Sequence, residues 1–126
     1  MRKEKGAIIA AGVLLLDQAT KIFSLKVGSG FLNQGFSFGW GSSAPSIVFI
    51  LLNLLFLIFF LRFSSKPAGM LIFTGGASNL LDRLFRGGVV DFLAFSRWPA
   101  FNLADVAIVV GCFWLLIDLL QTKSVS

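Results

Sequence analysis

There is no histidine anywhere in this sequence. That removes the commonest general base and the commonest metal ligand together. Ser–His and Cys–His nucleophile systems are excluded, and without a His/Cys cluster there is no zinc site to build. Cysteine is nearly as scarce: the single Cys112 lies inside an apolar run, so no internal disulfide can form. Charge is sparse too, at 13% of residues. Hydrolytic chemistry in such a chain falls to a pair of carboxylates that share a proton and activate water directly, with no metal and no cofactor expected.

In place of charge the sequence has oil. Hydrophobic residues make up 56% of it, with 15 Phe among 126 residues. A soluble domain this small keeps much of its surface in water and cannot hide so much apolar area. The formal net charge of +5 invites a nucleic-acid reading. The basic residues, however, sit at the ends of apolar runs, where Lys and Arg orient a membrane protein. Membrane lipids are the expected surroundings, and no nucleic-acid partner is expected.

A bilayer core of ~30 Å takes about 20 helical residues to cross. Four segments approach that length: Gly6 to Leu25, Ser46 to Phe63, Gly69 to Phe85 and Leu103 to Gln121. In the second, Asn53 is the only strongly polar residue before Arg62. Arg2, Lys3 and Lys5 ahead of Gly6–Leu16 have the look of a signal peptide, but no small-residue cleavage site follows. The run continues through Asp17 to Leu25 and reads as a retained span. Arg2, Lys3, Lys5, Arg62, Lys66 and Lys123 fall on one side, against Lys26, Arg83, Arg86 and Arg97 on the other. That bias of six to four places both termini in the cytoplasm.

Two outer connections remain. Lys26 to Pro45 carries five glycines and an alternation of Phe36, Phe38 and Trp40, which suits an extended ribbon with an aromatic face in the membrane interface. Asn33-Gln34-Gly35 supplies a turn. The second connection starts at Gly87-Gly88, continues as a short extended run through Val89-Val90-Asp91-Phe92-Leu93, and ends at Trp98-Pro99. The expected fold is an all-α integral membrane protein, with four transmembrane helices, a small extracytoplasmic β element and one domain over residues 1–126.

Ionisable groups in lipid-embedded segments are costly and face the bundle interior. Asp17 and Lys21, four apart, share a helix face and can pair. Asn79, Asp82, Arg83 and Arg86 sit at the outer end of the third segment, with Asp82 in reach of Asn79 and Arg86, and taken alone Asp82 reads as scaffolding. Upstream, Gly75-Gly76-Ala77-Ser78 are small enough to let membrane helices approach closely. In an extended run Asp91 shares a face with Val89 and Leu93, where desolvation raises a carboxyl pKa; a surface loop Asp is the other reading. Asp105 follows Asn102 by three residues at a helix start, so taken alone it is first a capping-box residue. Asp118 lies toward the opposite face. Asp91 and Asp105 are the two carboxylates at one membrane surface without a basic partner at helical spacing. A transporter or proton-relay protein is the non-catalytic alternative, and it calls for ionisable groups through the whole membrane thickness.

Four blocks carry a resemblance. They are Asp17-Gln18-Ala19-Thr20-Lys21, then Asn33-Gln34-Gly35-Phe36-Ser37-Phe38-Gly39, then GGASNLLDRLFRGGVVDF from Gly75 to Phe92, and finally Trp98-Pro99-Ala100-Phe101-Asn102-Leu103-Ala104-Asp105. In these blocks and their order the chain resembles the lipoprotein signal peptidases, or signal peptidase II family. The resemblance implies an aspartyl endopeptidase of the bacterial cytoplasmic (inner) membrane, with its active site on the outer face. Its substrate is a diacylglyceryl-modified prolipoprotein, cut immediately before the lipidated Cys. Asp91 and Asp105 are then the catalytic dyad. Asn79, Arg83 and Asn102 line or support the site, Asn33 contributes from the first outer loop, and Asp17, Lys21 and Asp82 are supporting polar positions. The outer loops are shorter than the family's usual ones. Eleven residues separate Lys21 from Asn33 and thirteen separate Asp91 from Asp105, and Phe36 stands where a small residue is usual.

Overall fold

The computed structural model describes residues 1–35, 44–95 and 98–125, with the backbone alone at positions 95, 98, 99 and 123–125. The expected aromatic ribbon of Phe36, Phe38 and Trp40 lies outside the described residues. Helix α1 (Lys3–Val27) leads into strand β1 (Phe31–Asn33). Helix α2 (Ser46–Phe60) ends in one 3₁₀ turn, Leu61–Phe63, and helix α3 (Pro67–Arg86) follows. Strands β2 (Val89–Asp91), β3 (Leu93–Phe95) and β4 (Trp98–Phe101) precede helix α4 (Leu103–Val125). Helices α1 and α3 run a residue or two past their apolar segments to glycine caps. Gly28 and Gly87 close α1 and α3 in the left-handed region, at φ 79° and 78°, a conformation that costs glycine nothing. Pro67 opens α3 at a position where its missing N–H is no loss.

Among the described residues, three helices are long and apolar enough to cross a membrane: Lys3–Val27, Ser46–Phe63 and Leu103–Thr122. Their large side chains face outward along much of their length, as with Leu15, Leu16, Leu55, Ile58, Phe113 and Ile117. Helix α3 is different. It packs against each of the other three and buries Ala68, Gly69, Ile72, Thr74, Gly75, Gly76, Ser78, Asn79 and Asp82. A helix packed against three others has less need of an apolar perimeter, so α3 carries a larger share of buried polar and small residues. Its approach to α4 is set by two glycines. A Cβ on Gly75 would meet the Ala104 carbonyl oxygen at 2.6 Å, and one on Gly111 would meet that of Ala68 at 2.7 Å.

The strands gather at the end of the bundle where α1 and α3 finish and α4 begins. They form two antiparallel pairs. In one, β1 lies beside β2 with Phe31 opposite Asp91 and Asn33 opposite Val89. In the other, β3 pairs with β4 around a bulge. The expected continuous run from Val89 to Leu93 is therefore broken at Phe92. Its N–H turns to the Phe101 carbonyl, and the chain passes from one sheet to the other. The turn at Asn33-Gln34-Gly35 is an Asx turn, with the Gly35 N–H donating to Asn33 Oδ1 at 3.0 Å. At the other end of the bundle Ala68, Ile72 and Leu115 form an apolar core against Phe56, Phe60 and Phe63.

Candidate active site

The site is built from the N-terminus of α4 upward. Asn102 caps that helix. Its Oδ1 accepts from the Asp105 N–H at 2.9 Å, and Asp105 Oδ2 accepts from the Asn102 N–H at 3.2 Å. This is a reciprocal capping box, so the cap reading of Asp105 is correct as geometry. The box does not exhaust the carboxylate. Asp105 Oδ1 takes a hydrogen bond from Asn79 Nδ2 at 3.1 Å, and the side chain lines a cavity of about 140 Å³ together with Asn33, Gly35, Asn79, Arg83, Val89, Asp91 and Ala100.

Asp91 enters the same cavity from the last position of β2. It is 3% exposed. Asn33 Nδ2 donates to one of its oxygens at 3.2 Å and Asn102 Nδ2 to the other at 3.1 Å. Burial pushes its carboxyl up to about 6. The nearby Asp105 charge adds to the rise, while the Asn33 and Asn102 hydrogen bonds and the Lys21 ammonium oppose it. Val89 lines the cavity beside Asp91 as alternation along a strand requires. Leu93, on the next strand, does not share that face.

Behind the two aspartates lies a buried ionic frame. Lys21 is fully buried and holds Asp17 at 2.6 Å, Asp82 at 2.8 Å and Asn79 Oδ1 at 3.0 Å. The expected Asp17–Lys21 pair is present and fully buried, and Asp82 shares the ammonium. Arg86 closes the charge balance on Asp82 at 2.5 Å. Asn79 turns to Lys21, Asp105 and Asn102, with no bond to Asp82 despite the favourable spacing. Each buried aspartate also grips backbone. Asp17 Oδ1 accepts from the Ala104 N–H at 2.8 Å, and Asp82 Oδ2 from the Val90 N–H at 3.0 Å. Those two amides immediately precede Asp105 and Asp91. The frame therefore fixes the two chain segments that carry the candidate dyad, and Lys21 ties the two grips together.

Three residues matter here that were not singled out as site residues in the sequence. Gln18 donates to Ser78 Oγ at 2.9 Å and to Asp82 at 3.0 Å, and accepts from Arg86 at 2.8 Å. Ser78 donates to Asp17 at 2.5 Å. Asn53 accepts from Arg83 at 2.6 Å. Gln18 and Ser78 lie inside the matching blocks, and Asn53 is the polar interruption of an apolar span. Among the described residues every buried side-chain nitrogen and oxygen has a partner, and no group of three or more His, Cys, Asp or Glu comes together as a metal site would need. Asp118 stands on α4 away from this cluster, with Thr122 bonded back to its carbonyl.

The chain is similar to known proteins over nearly its whole length. The family described as Signal peptidase (SPase) II matches residues 9–121. A lipoprotein signal peptidase of Syntrophus aciditrophicus is 35% identical, over 92% of each chain. That of Halothermothrix orenii is 33% identical, over 94% of this chain and 97% of its own. A solved bacterial membrane enzyme superposes with a TM-score of 0.83 at 25% identity, over 97% of this chain and 91% of that one. With a polar cluster gathered at one end of an apolar bundle, and a family match that runs through nearly all of it, the chain belongs to the signal peptidase II family.

Proposed function

We propose that this protein removes the signal peptides of diacylglyceryl-modified prolipoproteins, cutting before the lipidated Cys as an aspartic endopeptidase. The observation that carries this reading is that Asp91 and Asp105 line one cavity, each braced by asparagine. Two carboxyls that face one cavity and act on each other's charge do not readily ionise together, so one proton is shared. The ionised member takes a proton from water as that water attacks the scissile carbonyl carbon. The protonated member donates to the carbonyl oxygen, and the resulting tetrahedral diol collapses as a proton passes to the leaving amide nitrogen. Asn33, Asn79 and Asn102 hold the two carboxyls in place, and Arg83 supplies guanidinium donors to a substrate carbonyl.

The chain acts as a single domain in the bacterial cytoplasmic membrane. All four helices span it, α3 as the shielded central one, with both termini cytoplasmic and the strand end outside. A lipid-anchored substrate presents its scissile bond at that interface. A proton-relay function fits less well, because the described core at the other end consists of Ala68, Ile72, Leu115 and phenylalanines.

The test is incubation of the purified protein with a diacylglyceryl prolipoprotein and mass analysis of the products. A new amino terminus at the lipidated Cys is expected, and an uncut substrate sinks the reading. For orientation, Ser29→Cys in a Cys112→Ser background should react with an impermeant thiol reagent on intact cells; labelling only after lysis would reverse the topology.

A further inference from the structure

Asn53 sits midway along α2, an otherwise apolar helix, and is 9% exposed. A primary amide in such a place is costly unless its hydrogen bonds are made. One is made to backbone: Nδ2 donates to the Gly76 carbonyl at 3.1 Å, which ties α2 to α3. The other ends on a cation, as Oδ1 accepts from Arg83 Nη1 at 2.6 Å. That short distance is typical of a charge-assisted bond, roughly twice as strong as a neutral one. A helix-to-helix tie would need only the first of these.

Arg83 itself is at a junction. It lines the cavity of Asp91 and Asp105, and also an apolar groove of about 360 Å³ walled by Phe49, Leu52, Phe56 and Ile108. Asp105, Asp82 and Asp91 all attract its charge, yet among the described residues it forms an ion pair with none of them. Its guanidinium is held by Asn53 on one side and by a long contact to the Gly35 carbonyl, 3.5 Å, on the other. An arginine paired with Asp91 or Asp105 would fix that carboxylate in its ionised form and fill the space the substrate needs.

We infer that Asn53 is a positioning residue: it anchors the Arg83 guanidinium at the boundary between groove and cavity, keeping it off the two aspartates and available to the substrate carbonyl. This rests on the function proposed above. The amide oxygen does the anchoring. The amide nitrogen serves the helix contact, and the two roles are separable by substitution.

The test compares Asn53→Leu, Asn53→Ala and Asn53→Asp in the full-length protein, using a diacylglyceryl prolipoprotein and normalising rates to folded enzyme. Asn53→Leu and Asn53→Ala remove the acceptor, and each should lower kcat/KM by about 10- to 100-fold, the scale of a lost hydrogen bond to a charged group. The acidic limb of their pH profile should also move to lower pH, as Arg83 collapses onto the dyad. Asn53→Asp keeps an acceptor for Arg83 while losing the donor to Gly76, and should recover most of the activity and the original limb. A tie that is merely structural predicts the reverse, with Asn53→Asp as damaging as Asn53→Leu and no movement of the limb. That outcome overturns the inference, as does parental kcat/KM in Asn53→Leu. A parent protein that cuts no prolipoprotein overturns the proposed function instead, and this inference with it.

Discussion

The two ends of the helical bundle are held by different forces. At the strand end, Asp17, Lys21, Ser78, Asn79, Asp82 and Asn102 are buried and bonded to one another across three helices and the β2 strand. At the other end, Ala68, Ile72 and Leu115 meet Phe56, Phe60 and Phe63 with no polar group among them. In lipid the second kind of contact has little hydrophobic driving force, since an acyl chain is as apolar as a leucine, and close packing has to suffice. The first kind gives less freedom, because a buried ammonium between two carboxylates fits one arrangement of its helices and few others. The polar end therefore sets where the helices sit, and the apolar end fills in behind it.

The sharpest way to test the contrast is at the dyad. Asp91→Asn and Asp105→Asn should each abolish cleavage, with a loss of at least ~10² to 10⁴, and the double variant should be no worse than either single. Both should still accumulate and bind substrate. Substantial turnover by Asp105→Asn would leave that residue a helix cap and nothing more.

Lys21→Met should come next, at about 3–5 kcal/mol of stability, because it strands Asp17 as a buried, uncompensated charge and leaves Asp82 with Arg86 alone. Thermal unfolding in detergent reads it directly. A loss under about 1 kcal/mol would mean that the frame relaxes, and that the polar end is not what positions the helices.

A smaller effect has the opposite sign. The Asp91 carboxyl titrates at about 6 in the folded chain against 3.8 ordinarily. Between those values the folded state holds more protons than the unfolded one, so its stability falls as pH rises through that window. Asn carries no such penalty. Above about pH 6, Asp91→Asn should be more stable than the parent by up to about 3 kcal/mol, and below about pH 4 the gain should vanish. An inactive yet stabilised variant would mark Asp91 as kept for chemistry at a structural cost.

The apolar end should respond least. Ile72→Val should cost about 0.5–1.5 kcal/mol, with kcat/KM per folded enzyme unchanged. A change in pH profile on that substitution would show the two ends to be coupled.

Much of this was legible in the sequence, and the boundary of legibility has a physical cause. The helices follow from apolar run length, and the Asp17–Lys21 and Asp82–Arg86 pairs from helical spacing. The Asx turn at Asn33 and the capping box at Asn102 are written in three or four adjacent residues. What could not be read is everything that joins distant segments: Lys21 reaching Asp82, Asp17 gripping the Ala104 amide, Asn53 holding Arg83. No local periodicity encodes which face of α1 meets which face of α3. The break at Phe92 escaped for the same reason, because it depends on Phe101 arriving from a later strand.

The pairing of β1 with β2 is only three rungs long, and Asp91 sits on the last rung, opposite Phe31. Side chains alternate along a strand, so a slip of one residue in that ladder would turn the Asp91 carboxyl to the opposite face. The first outer loop thus acts as a key for the second, and whether the carboxyl is presented depends on how the two short strands are threaded. Anyone splicing a longer outer loop into this chain must leave the phase from Phe31 to Asn33 untouched.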